Sequence, residues 1–73
     1  MDIRAIEAGI QQHLPPGCGV LLTDDEQGHL LIGVSYYRSA YSQVPLATAP
    51  EDVEIKVRRM LEAMGRDLKS GII

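Results

Sequence analysis

The three tyrosines of the chain, Tyr36, Tyr37 and Tyr41, cluster in one stretch around Arg38. Tyrosine offers a rigid ring with a polar tip, and arginine a planar fork of donors, which is why both are enriched at binding hot spots. A phenol ring can also stack on a base while a guanidinium takes a phosphate through two parallel bonds. Two chemistries follow. In the first, a partner protein is held along the Tyr36–Tyr41 edge. In the second, Tyr37, Arg38 and Tyr41 hold a small anionic or nucleotide-like ligand in a cleft between two copies. Against both stands a structural reading in which Tyr36 packs in the core and the other rings cover a sheet edge.

The remaining reactive types are scattered. Cys18 lies between Gly17 and Gly19, with no neighbouring cation to favour its thiolate, so no nucleophile–base pair is expected. His13, Cys18 and His29 can each bind zinc, but a tetrahedral site needs a fourth ligand. They read as a buried thiol and two surface imidazoles. Asp24-Asp25-Glu26 lacks the alternating ligands and distal Glu of a calcium loop and reads as a solvated hairpin tip. Gly17-Cys18-Gly19 follows a helix and enters a strand, the reverse of a dinucleotide loop. Lys56, Arg58, Arg59, Arg66 and Lys69 are interleaved with Glu54, Glu62 and Asp67, a pattern of solvated ion pairs. With a net charge of −3, nucleic acid is not the expected partner. No catalytic residues, metal or cofactor are expected, and the chain is not read as an enzyme.

The 73 residues read as one domain, 1–73, with 45% apolar residues and neither Phe nor Trp, so the core must be aliphatic. A chain this short buries a small share of its surface and usually needs a disulfide, a metal or a partner copy. One cysteine excludes an internal disulfide, which leaves oligomerisation and predicts a homodimer. No apolar run approaches membrane-spanning length. The start, MDIRAIEAGI, has neither the basic beginning nor the long apolar stretch of a signal peptide, and a cytoplasmic setting is expected.

Residues 2–14 predict a helix, with Asp2 as N-cap, Met1 and Ile6 as a staple, and Ile3, Ile6, Ile10 and Leu14 as its stripe. Pro15-Pro16-Gly17 ends it. Two apolar runs, Cys18–Thr23 and from Gly28 onward, flank an acidic Gly-containing loop and predict a hairpin. In the second run Leu30, Ile32, Val34 and Tyr36 fall on one face; His29, Leu31, Gly33, Ser35 and Tyr37 fall on the other. Residues 39–47 read as an irregular crossover, with a third strand conceivable at Tyr41–Val44 and limited by Pro45. Thr48-Ala49-Pro50-Glu51 predicts a capping box opening a long helix. Its stripe is Val53, Val57, Met60, Leu61, Met64 and Leu68, and Gly71 is its stop. Asp52–Lys56, Glu54–Arg58 and Glu62–Arg66 are spaced for ion pairs along that helix.

The expected fold is therefore α+β. It is a two-layer α-β-β-α domain in which a short N-terminal and a long C-terminal helix cover an antiparallel hairpin completed by dimerisation. Leu31, Gly33, Ile55 and Arg59 are the candidate interface residues. The expected function is a small acidic interaction or modulator module that acts as a homodimer.

Overall fold

A computed structural model describes residues 2–66 and 68. The order is α1 (Ile3–Gln12), β1 (Gly19–Asp24), β2 (His29–Tyr36), β3 (Arg38–Pro45) and α2 (Pro50–Ala63), an α+β fold. The three strands form one antiparallel sheet in the order β1-β2-β3, with the most apolar strand at its centre. Both helices contribute to a core built on one face of that sheet. Leu22, Leu30, Ile32 and Val34 meet Ile10 from α1 and Val53, Val57 and Leu61 from α2. Cys18 and Leu68 close the same core.

The expected α-β-β-α order lacks one strand. Residues 38–45 continue the sheet for its full length, so the chain forms the third strand that the sequence leaves open at Tyr41–Val44, extended at its N-terminal end to Arg38, in place of an irregular crossover. Two features hide this strand in the sequence. Its inward positions, Ala40, Ser42 and Val44, are small or half-polar, so apolar alternation is faint. Its turn carries no Gly, Asn or Pro: Tyr37 alone separates the paired Tyr36 and Arg38, at φ +65°. Pro45 is tolerated because it ends the strand on the sheet's outer edge, where a missing N–H breaks no ladder bond.

The helix ends also differ from expectation. Asp2 does cap α1, its Oδ1 accepting from Ala5 N at 3.1 Å; Met1, the other half of the staple, lies outside the described residues. The capping box at Thr48 does not form. Ala49 is the N-cap, Pro50 opens the helix, and the Thr48 hydroxyl donates back to the Pro45 carbonyl at 2.6 Å. Pro50 in the first turn already removes one orphan donor, so the box has less to satisfy. The helix stops at Gly65, not Gly71. Gly65 adopts φ +100°, its N–H bonds to Glu62 O at 3.0 Å and Arg66 N–H bonds to Leu61 O at 3.1 Å. That pair of bonds is the Schellman closure, which favours glycine at this point. Gly71 lies outside the described residues. Glu54, read as a partner of Arg58, instead meets His13 Nδ1 at 3.1 Å and ties the end of α1 to α2.

The β1–β2 hairpin is held by its acidic tip. Asp24 Oδ1 accepts from Glu26 N at 2.7 Å, and Asp25 Oδ1 from Gln27 N at 2.8 Å and His29 N at 3.0 Å. These bonds hold Glu26 and Gly28 at positive φ. The Gln27 N–H is the main reason the Asp25 carboxyl titrates below its ordinary value of 3.8; partial desolvation opposes it, and the His29 N–H and imidazole reinforce it. A lowered folded value means that this stabilisation is complete above about pH 4 and is lost as pH falls through the lowered value. Acid titrations of stability should therefore show a loss below pH 4 that Asp25→Asn reduces. An unchanged acid limb in that variant would remove Asp25 from the account.

Candidate functional site

The sheet has two unlike faces and two unlike edges, and these place every candidate residue. Positions of even number in β1, β2 and β3 face the helices. Positions of odd number form a face that neither α1 nor α2 covers, with Leu21, Gly33 and Tyr41 in register across the three strands and Thr23, Leu31 and Gln43 in the next row. Leu21 is 53% exposed and Leu31 40%, which is high for leucines in a sheet. Tyr41, although 78% exposed, lies over Gly33: a Cβ built on that glycine would sit 3.1 Å from the Tyr41 ring. The ring thus replaces the missing side chain of the facing strand, an arrangement that covers glycine in sheets.

The tyrosine–arginine cluster divides between these surfaces. Tyr36 is half-buried and packs against the core on the helix-covered face. Tyr37, at the turn, is 95% exposed, and its ring centre lies 4.6 Å from that of Tyr36 at 57°. Arg38 pairs with Tyr36 across the turn, so its side chain leaves on the helix side of the sheet. Tyr41 leaves on the opposite side. Tyr36, Tyr37 and Arg38 are therefore neighbours at one end of the sheet, and Tyr41 belongs to the open face. The interface candidates separate in the same way: Leu31 and Gly33 are on the open face, whereas Ile55 and Arg59 are exposed on α2.

Beside Tyr41 the open face sinks into a concavity of about 240 Å³, floored by Gly19, Gly33, Ser35 and Ser39 and walled by Leu21 and Tyr41. The floor is low because two glycines stand in it; a Cβ on Gly19 would come within 2.6 Å of Ser35 Oγ. Among the described residues no charged side chain lines it.

The edges differ more sharply. The outward N–H groups of β1 are taken by α1: Val20 N donates to Gln11 Oε1 at 3.1 Å and Leu22 N to Glu7 Oε2 at 2.8 Å. Gln11 Nε2 also donates to Cys18 O at 2.9 Å, and Arg4 holds the Glu7 carboxylate at 2.9 Å. Glu7 and Gln11 are four residues apart and so share the side of α1 that faces the strand. Since Val20 and Leu22 point away from β2, the odd residues of β1 bond to the odd residues of β2, and the even residues of β2 bond to β3. Leu46 N to Gly28 O at 2.9 Å continues that parity. The N–H and C=O groups of Ser39, Tyr41 and Gln43 are left pointing outward from β3. Among the described residues, one edge of the sheet is closed by side chains and the other is open.

Sequence reasoning did not single out Leu21, Ser39, Gln11 or Glu7. Alternation within β1 carries Leu21, opposite in parity to the core residue Leu22. Ser39 required the third strand, and the reach of Glu7 and Gln11 to a strand edge has no local signature. His13 meets Glu54, Cys18 is in the core and His29 meets Asp25, so the zinc-capable residues have separate surroundings. Among the described residues no group of three or more His, Cys, Asp and Glu could hold a metal ion, and no helix is long and apolar enough to cross a membrane. Searches against known protein families, curated proteins and solved structures return no match.

Proposed function

We propose that this protein is a non-enzymatic interaction module that acts as a homodimer and engages another protein through the Tyr36–Tyr41 edge and the open sheet face beside it. The observation that carries the reading is the contrast between the two sheet edges. The protein uses Glu7 and Gln11 to close β1, while β3 keeps its outward main-chain groups and flanks them with Tyr37, Arg38 and Tyr41. An unguarded edge is a template for another strand, with main-chain bonds supplying affinity and alternate side chains specificity. Exposed Leu21, Leu31 and Tyr41 extend that template onto the adjoining face. The uncharged lining of the concavity favours a protein partner over an anionic ligand, because Arg38 leaves on the far side of the sheet.

A photo-crosslinking residue in place of Tyr37, in cells that make the protein naturally, tests this directly. Tyr37 is exposed at the end of the open edge, so adducts with a different polypeptide are expected. They should disappear when Gln43→Pro is added, and should be absent when the crosslinker replaces Glu51 on α2. Adducts that are equally abundant from both positions, or none from Tyr37, would remove the edge as the binding surface.

A further inference from the structure

The open β3 edge is self-complementary, and we infer that its first occupant is a second copy of this chain. The two β3 strands pair antiparallel about a twofold axis at Tyr41. This identifies the dimer contact within the interaction reading above and rests on that reading's open edge; with β3 paired to its copy, the other protein meets Tyr37 at the edge's end and the exposed Leu21, Leu31 and Tyr41 on the adjoining face.

Register decides the axis. In a twofold antiparallel pair, outward residues must oppose outward residues, so Ser39, Tyr41 and Gln43 of one strand face the same three on the other. With the axis at Tyr41, Tyr41 opposes the partner's Tyr41 and Ser39 opposes the partner's Gln43. Every outward N–H then has an outward C=O, three from each strand. Moving the axis to Ser42 sets Ser39 against the partner's Pro45, which has no N–H to give. Moving it to Ala40 sets Gln43 against the turn residue Tyr37. Proline and turn thus bound the pairing at both ends.

The side chains permit the same approach. Between Ser39 and Val44 the strand has no charged residue, so the usual guard of an exposed edge is missing. Its one charge, Arg38, falls opposite the partner's Val44 in this register, and no like charges meet. Ser39, Ala40 and Ser42 are small enough for close backbone approach. The two Tyr41 rings come side by side on the helix-free face, each already seated over its own Gly33. The pairing joins two three-stranded sheets into one, and the α1-closed β1 edges become its two outer boundaries. Edge-to-edge growth therefore stops at two copies.

Sedimentation or light scattering across a dilution series, joined to amide hydrogen exchange, tests the inference. Wild-type protein is expected at twice the monomer mass, with the Ser39, Tyr41 and Gln43 amides protected in the dimer and losing at least tenfold protection on dilution. Gln43→Pro removes one outward N–H at a position where an edge strand accepts proline, as it does at Pro45. It should keep the wild-type far-ultraviolet circular dichroism and run as a monomer. The exchange measurement on wild-type protein stands if that variant misfolds. A monomer at high micromolar concentration overturns the inference, as does a dimer whose Ser39, Tyr41 and Gln43 amides exchange freely; the latter points to another surface such as Ile55 and Arg59. Heterologous adducts at Tyr37 alongside a monomeric wild type would overturn the homodimer and its contact and leave only the binding of another protein at this edge standing. A protected dimer with no heterologous adduct would do the reverse.

Discussion

Ile32→Ala should be among the most damaging single changes in the chain, and Leu31→Ala, one residue away, should be nearly silent. Ile32 is fully buried in the central strand, among Leu22, Leu30, Val53, Val57 and Leu61. Truncating such a side chain removes its transfer free energy and leaves a cavity, at a cost of about 2–5 kcal/mol. By the usual scaling, a domain of 73 residues has roughly 4–11 kcal/mol of stability in all. The substitution therefore removes a large share of it and lowers the melting temperature by about 4–8 °C for each kcal/mol lost. Leu31 points to the helix-free face and is 40% exposed, so its truncation should stay within about 0.5 kcal/mol of wild type. Urea unfolding of the two variants, followed by circular dichroism, checks the assignment of faces. Equal losses would mean that something covers the odd-numbered face. A small loss at Ile32 alone would contradict the core itself. If dimerisation through β3 leaves the open face uncovered, the contrast holds in the dimer as well.

That contrast also marks how much of the fold could be read from the residues. β2 was legible because its alternation is strong: Leu30, Ile32 and Val34 on one side, Leu31, Gly33 and Ser35 on the other. α2 was legible from its stripe, and α1 from Asp2 and the isoleucines. β3 was obscured by Ser39, Ala40 and Ser42, which neither alternate in hydrophobicity nor exclude a strand, and by a reversal at Tyr37 that borrows a backbone conformation common in glycine. The candidate site was only partly visible for the same reason. Which tyrosine belongs to which surface is a question of strand parity, and parity could not be assigned without the strand. Placing Tyr41 on the face opposite Arg38 changes the site from one aromatic–cationic cluster into an edge with a small cluster at its end. The closure of β1 was legible in neither composition nor periodicity, because it depends on two polar side chains of α1 meeting the backbone of a strand that follows them.

Removing that closure is the second change with a large expected effect. In Glu7→Ala the Leu22 N–H loses a charged acceptor at 2.8 Å in a partly buried position, and Arg4 loses its partner. A donor left unsatisfied in such a place costs about 1–3 kcal/mol. Adding Gln11→Ala also frees Val20 N–H and Cys18 C=O, and the pair should cost roughly 2–4 kcal/mol, less where water reaches the groups. Glu7→Gln retains an acceptor oxygen and should lose less. The effect on assembly is more informative than the effect on stability. With β1 opened, each molecule presents two free edges in place of one. On the β3 pairing inferred above, a contact closed at two copies would become the repeat of an open chain. Light scattering of the double variant under native conditions should therefore show growth with concentration beyond the wild-type size. Val57→Ala, which removes part of a fully buried side chain at a cost of similar size, is the control, since it weakens the fold without baring an edge. If the double variant and the control behave alike, the growth reflects partial unfolding. If only the double variant grows, Glu7 and Gln11 are what limits this sheet to a single open edge, and β3 is the edge left for a partner.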